Sequence, residues 1–278
     1  MSQSSISPRR TVLVTGARGK TGREVVAQLR QHPEITVREG SSQPGAETAF
    51  SWDDPGTWPA AVKDVDAVYL MRPDVPEAPE HVARLVDLNP DASVVLLSEQ
   101  GADGLPAGQW ARRVEDAVTG RAAGWTLLRP SWFHQVLTDP RFYRDDIRVN
   151  RVLRLPSGGA PIAWIDARDI AAVAVAALVS PAGHDRQSYT ITGPEALPIQ
   201  AVADALSTQL GVAVRADDPP PGQAVEGFDA WTTDILIDLY ERVRTGGFAE
   251  HTPVVERVTG RRPTSVSEFV AANLDEWR

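Results

Sequence analysis

Short apolar runs alternate with amphipathic stretches along the chain as far as Pro130. Residues 11–15 (TVLVT) read as a buried strand, and residues 20–30 place Val25, Val26 and Leu29 at helical spacing. A short second strand is expected at 35–37, a third at 47–51, and a short helix ending at Ala61 and Val62. Residues 67–71 (AVYLM) and 93–97 (SVVLL) predict the fourth and fifth strands, with a helix over 82–88 between them. A helix over 109–123 and a sixth strand at 125–128 complete the series. Strands that alternate with helices predict an α/β fold, a Rossmann-type doubly wound parallel sheet covered on both faces. Such sheets bind ligands at the C-terminal ends of their strands.

Beyond Pro130 the rhythm changes. Residues 132–165 are rich in Pro, Arg, aromatics and Gly, including Ser157-Gly158-Gly159. A helix over 168–178 capped by Asp166, a strand at 187–192 and a helix over 199–210 follow. Residues 217–222 hold three consecutive prolines and read as a loop. A last helix is expected from Ser265, where Ser265 and Glu268 match a capping box. The expected organisation is a flexible leader at 1–10 and one domain over 11–278. Within that domain, 11–135 form the dinucleotide-binding core. Residues 136–278 form mostly a small discontinuous C-terminal substrate lobe with returning core elements.

Composition narrows the chemistry. The 278 residues are 42% hydrophobic, enough for a sizeable core, and no apolar run reaches the ~18 residues of a membrane helix. There is no cysteine, which excludes disulfides and thiolate chemistry and is consistent with a cytoplasmic protein. The net charge is -9 with no basic window, which argues against nucleic acid as a partner. His32, His81, His134, His184 and His251 are scattered without a zinc-binding spacing, so no metal is expected. There is no Gly-x-Ser-x-Gly elbow.

The strongest chemical signal lies at 11–22 (TVLVTGARGKTG), where a strand enters glycines spaced three apart and then a helix. Gly16 permits the tight turn, Gly19 lets backbone approach a pyrophosphate, and Gly22 lets the helix pack close. The helix that follows, with Thr21 in its first turn, offers N–H groups and partial positive charge to the phosphates. After the second strand, Arg38 is a candidate for a ribose 2′-phosphate and Glu39 for a 2′-hydroxyl. Arg18 and Lys20 add cations, and three cations at one anionic site favour NADP(H) over NAD(H).

Several blocks in series extend this reading: TGARGKTG at 15–22, Leu128-Arg129-Pro130, Trp132-Phe133, WIDARDIA at 164–171, YTITGPEA at 189–196 and VTGRRP at 258–263. Together they resemble the NmrA-like atypical short-chain dehydrogenase/reductases, and within that group the agroclavine-type ergot-alkaloid reductases. The resemblance implies that Trp52 and Asp53 flank the adenine, and that Met71, Arg72 and Pro73 pass beside the ribose and pyrophosphate. It places Ser98, Glu99 and Gln100 at the nicotinamide ribose, and Trp132, Phe133 and His134 at the edge of nicotinamide and substrate. Trp52 also has a plain packing reading.

A Tyr-x-x-x-Lys pair, in which lysine lowers the pKa of a tyrosine that protonates an alkoxide, is missing. Lys20 and Lys63 are the only lysines, and Gly16 and Pro59 stand four residues before them. Where the family frequently has lysine and tyrosine, this chain has Ala111 and Ala107, and the family's Phe-Met-Glu-Asn reads Phe133-His134-Gln135-Val136. Three readings stay open. One is an NADPH-dependent reductase acting on an iminium, enone or quinone of a cyclic small molecule in secondary metabolism, whose acceptor needs little enzymic acid. The eight tryptophans, Trp132 and Trp164 among them, suit a polycyclic or aromatic substrate of that enzyme. The second is a catalytically silent NADP(H)-sensing regulator. The third is a non-redox cyclase or isomerase with His134 as acid or base. A homodimer is left open beside a monomer.

Overall fold

A computed structural model describes residues 9–278; residues 1–8 of the expected leader lie outside the described residues. In chain order the elements are β1 (Arg10–Val14), α1 (Gly22–Leu29), β2 (Ile35–Ser41), β3 (Thr48–Ala49), α2 (Trp58–Val62) and β4 (Ala67–Met71). Next come α3 (Ala78–Asp87), β5 (Ser93–Leu97), α4 (Trp110–Thr119), β6 (Trp125–Pro130), β7 (Val152–Arg154) and α5 (Ala167–Val179). The chain ends with β8 (Gln187–Ile191), α6 (Ile199–Leu210), β9 (Arg215–Asp217), α7 (Ala230–Arg244), α8 (Val254–Thr259) and α9 (Val266–Ala272).

The main sheet has the order β3-β2-β1-β4-β5-β6-β8, and the pairs from β3 through β6 are parallel. The first six positions follow the order of a doubly wound dinucleotide fold, which reverses between β1 and β4. Apolar residues on both faces of a strand require cover on both sides. Val12, Leu13 and Val14 of β1 and Tyr69 and Leu70 of β4 are accordingly fully buried. Helix α3 buries Ala78, Pro79, Val82, Leu85 and Val86, one stripe at helical spacing, with its proline in the first turn where no N–H is missed.

The chain folds as two compact units. The first comprises the described residues up to Ser98, with Ala102–Leu128 and Ala171–Tyr189; the second comprises Glu99–Gly101, Arg129–Ile170 and Thr190–Arg278. Each has its own core. Leu13, Trp58, Leu70, Val82, Leu96 and Val118 centre the first. Leu137, Ile147, Trp164, Leu206, Val270 and Trp277 centre the second. Each such side chain contributes about 1.5–3 kcal/mol relative to an exposed one.

Four elements in the second unit, β7, β9, α7 and α8, have no counterpart in the sequence reading. The stretch read as a loop from 217 begins inside β9, whose Asp217 pairs with Arg154 of β7. Asp166 does cap α5: its carboxylate accepts the Arg168 N–H at 2.8 Å, and the Gln135 side chain accepts the Ala167 N–H at 3.0 Å. The Ser265–Glu268 capping box opens α9.

Candidate functional site

The loop between β1 and α1 is built by steric necessity. Gly16 turns at φ +61°, and a Cβ on it would stand 2.3 Å from the Met71 methyl carbon. A Cβ on Gly22 would stand 2.1 Å from the Gly16 carbonyl oxygen, a main-chain atom that no side-chain rotation can remove. The Gly19 N–H closes the turn by donating to Gly16 O at 2.8 Å. Thr15 Oγ1 accepts the Met71 N–H at 2.8 Å, which ties the loop to the end of β4.

Beside this loop lies a cleft of about 400 Å3 within the first unit. Gly16, Ala17, Arg18 and Gly19 form one wall, Gly40 through Gln43 a second, and Phe50 through Asp53 a third, with Met71 and Pro73 between them. Of the residues expected at a dinucleotide, Gly16, Arg18, Gly19, Trp52, Asp53, Met71 and Pro73 come together here. Trp52 also serves the packing role: it donates to Met71 O at 3.2 Å and lies edge-on to Phe50 and Trp58. The Arg18 side chain is exposed.

Other expected residues lie elsewhere. Strand β2 runs on to Ser41, so Arg38 sits inside it rather than at its end. The Arg38 guanidinium donates to Ala61 O at 2.9 Å and Lys63 O at 2.6 Å, and Glu39 pairs with Arg30. Thr21 is buried, its Oγ1 accepting the Tyr69 hydroxyl at 2.9 Å, and burial pushes that phenol well up. Lys20 and Gly22 do not line the cleft. Arg72 pairs with Asp74 at 2.7 Å and lies over the Trp110 ring. Ser98 donates to the buried Glu115 carboxylate at 2.6 Å. The sequence reading missed Ser41, Ser42 and Gln43. Their signal was the polar run RE in β2, which alternation carries through to Gly40 and Ser41.

In the second unit the candidate catalytic and substrate residues prove largely internal. His134, the expected acid or base, has no exposed surface, and neither ring nitrogen has a hydrogen-bond partner. Its ring packs against Phe269, with Nδ1 3.9 Å from Asp166, an electrostatic distance and not a hydrogen bond. Burial lowers its pKa. Burial alone would raise the Asp166 carboxyl, but the neighbouring His134 ring, the two-pronged Arg168 contact and the Arg168 N–H hold it well below the usual carboxylate range. Trp164 is a core residue, 1% exposed. Phe133 bridges to Ile165, and Trp132 packs on Tyr240 and Phe248. Gln100 is 2% exposed, and neither its amide oxygen nor its nitrogen has a partner; Ser131 Oγ and Trp132 Nε1 share that condition. A buried polar group left unpaired costs about 1–3 kcal/mol, a cost that a bound ligand offering the missing partners removes. Glu99 pairs with Arg242 of α7 at 2.5 Å, and Arg242 also donates to Gln100 O. No helix among the described residues is long and apolar enough to cross a membrane.

The glycine-built turn at the first strand of a sheet in this order defines a Rossmann dinucleotide-fold protein. The chain belongs to the NmrA-like atypical short-chain dehydrogenase/reductases. It is 32% identical to an NAD(P)H azoreductase of Xenophilus azovorans, over 94% of this chain and 97% of that one. It is also 32% identical to a (4-alkanoyl-5-oxo-2,5-dihydrofuran-3-yl)methyl phosphate reductase of Streptomyces griseus, over 96% and 99%. The Escherichia coli NADPH-dependent quinone oxidoreductase QOR2, solved with NADPH, shares the fold at a TM-score of 0.79 and 20% identity, over 95% and 99%. No protein-family model matches the chain.

Proposed function

We propose that this protein is an NADPH-dependent reductase that delivers hydride to a conjugated, electron-poor double bond of a small molecule: an azo group, quinone, enone or iminium. The observation that carries the reading is the cradle at Gly16–Gly19, where Gly16 turns at φ +61° and a Cβ on it would stand 2.3 Å from the Met71 methyl carbon. Gly16 and Gly19 leave main chain exposed in that wall of the cleft, the surface a pyrophosphate needs. The two relatives at 32% identity are both named as reductases. The azo group and the ring double bond of the dihydrofuran are both conjugated acceptors.

The residues divide the work as follows. The Gly16–Gly19 main chain and the start of α1 receive the pyrophosphate. Arg18 faces the 2′-phosphate. Ser41, Ser42 and Gln43 offer neutral polar groups at the end of β2, where a carboxylate would repel that phosphate. Trp52 gives the adenine an aromatic wall. Bound NADPH supplies the hydride. Hydride added to one end of a conjugated acceptor leaves the negative charge at the other end, on oxygen or nitrogen, and water returns the proton. An iminium is neutralised with no proton. This chemistry needs positioning rather than a tuned tyrosine, consistent with a chain that has no Tyr-x-x-x-Lys pair.

The test is NADPH oxidation followed at 340 nm with an azo dye, a quinone and a cyclic iminium. Turnover of at least one, with tighter binding of NADPH than NADH, is expected. Tight NADPH binding with no oxidation against all three would overturn the reductase and leave a silent sensor.

A further inference from the structure

The second unit contains a separate cleft of about 120 Å3. Its aromatic walls are Phe142, Tyr143, Phe228 and Tyr240. Phe142 lies 6.2 Å from Phe228, ring centre to ring centre, at an interplanar angle of 31°. An apolar cavity of about 150 Å3 holds one benzene ring, so this cleft is on the scale of a single ring and not of a fused polycycle.

Its polar inventory is unbalanced. The hydroxyls of Tyr143 and Tyr240 are 3.3 Å apart, and the two residues are 5% and 2% exposed. Two phenols carry two protons, and their mutual hydrogen bond uses one. No acceptor among the described residues takes the other. Trp132 packs on Tyr240 with ring centres 5.8 Å apart at an interplanar angle of 32°. The charged residues of the lining are matched: Arg141 holds Asp139, and Arg154 holds Asp146 and Asp217. The cleft therefore has one phenol proton to spare, aromatic walls and no unmatched charge. Burial pushes both phenols up, so each keeps its proton at neutral pH.

We propose that this cleft seats an uncharged aryl ring of a small molecule, with the spare tyrosine proton donated to an oxygen or nitrogen conjugated with that ring. The seat rests on the reductase reading only for the fate of its occupant, so binding and turnover are measured separately. The binding probe is acetophenone, one ring with a conjugated carbonyl, compared with ethylbenzene, which has the same shape and no acceptor. Both are titrated by ligand-observed NMR into the full chain without cofactor.

Acetophenone is expected to bind more tightly than ethylbenzene. The double variant Y143F/Y240F should weaken acetophenone about 3- to 10-fold, the worth of one neutral hydrogen bond, and leave ethylbenzene within about twofold. Y143F alone keeps one phenol proton and should retain acetophenone binding, an outcome that a purely structural role for the pair does not predict. F228A should weaken both probes. Loss of acetophenone binding in Y143F, unchanged binding in the double variant or in F228A, or no binding of acetophenone to the native chain each overturns the seat. Binding as expected, with no NADPH oxidation against the azo dye, the quinone and the cyclic iminium alike, would instead sink the reductase reading and leave the seat standing.

Discussion

Gly19 and Gly22 meet different constraints, and substitution separates them. An alanine methyl at Gly22 would lie 2.1 Å from a main-chain oxygen, whereas at Gly19 the nearest atom is 3.2 Å away, again Gly16 O. G22A should therefore lower stability by about 1–3 kcal/mol, the range for overpacking, with NADPH binding lost alongside. G19A should melt within a few degrees of the native chain yet bind NADPH about tenfold more weakly, because its methyl stands where the pyrophosphate approaches. Thermal melts beside fluorescence titration read both. A second pair of variants separates the arginines. R18A should weaken NADPH about tenfold or more and leave NADH unchanged, as expected for a charge-assisted contact to a phosphate. R38A should leave the NADPH-to-NADH preference unchanged and lower stability by about 1 kcal/mol, since its partners are the carbonyls of Ala61 and Lys63. His134 offers a pH test. Its pKa is depressed by burial, so the unfolded chain takes up a proton that the folded chain refuses. Stability through this group falls as pH drops below about 6.5, the unfolded value, toward the lower folded value. H134L should flatten the dependence of Tm on pH between about 7 and 5; an unchanged slope would remove His134 as its source. The residual slope is assigned in part to His184, which burial also lowers.

At the scale of elements, legibility followed how one-sided the burial is. β4 and β5 are uninterrupted apolar runs, and their observed limits coincide with the expected ones. β2 was read as three residues because Arg38 and Glu39 are polar, yet it pairs with β1 through Glu39 and with β3 through Gly40 and Ser41. A strand near the sheet edge tolerates polar side chains that a central strand does not. That single misplacement ends the strand four residues early, at Val37 instead of Ser41. It substituted Arg38 for the Ser41–Gln43 wall of the cleft. α7 escaped because its buried residues, Leu236, Tyr240 and Val243, form a narrow stripe among Thr, Asp, Glu and Arg. β7 is three residues long and has no period to read. The glycine loop was legible because its constraint is steric and local. The burial of Trp164 and His134 was not, because it depends on packing in the second core by residues as distant as Phe269 and Trp277.

At the scale of the molecule, each unit is assembled from three separate stretches of chain. A fragment ending at residue 128 holds the whole glycine loop and the cleft beside it, but lacks Ala171–Tyr189 of its own unit. It is expected to show no cooperative melt by circular dichroism and no NADPH binding, whereas the full chain should melt higher with NADPH present. At a concentration one hundred times its Kd, the ligand adds about 2.7 kcal/mol. A fragment that melts cooperatively would show that the returning segment is dispensable.

The placement of β8 beside β6 also sets a schedule for synthesis. A ribosome releases the six strands from β1 to β6 first, then more than fifty residues before the seventh strand emerges. At about 5–20 residues per second, β6 waits seconds with one row of main-chain N–H and C=O groups facing water. Nascent chains in that interval carry an open edge of the kind that invites strand pairing between neighbours. Dense polysomes and slow codons ahead of residue 187 would lengthen the exposure.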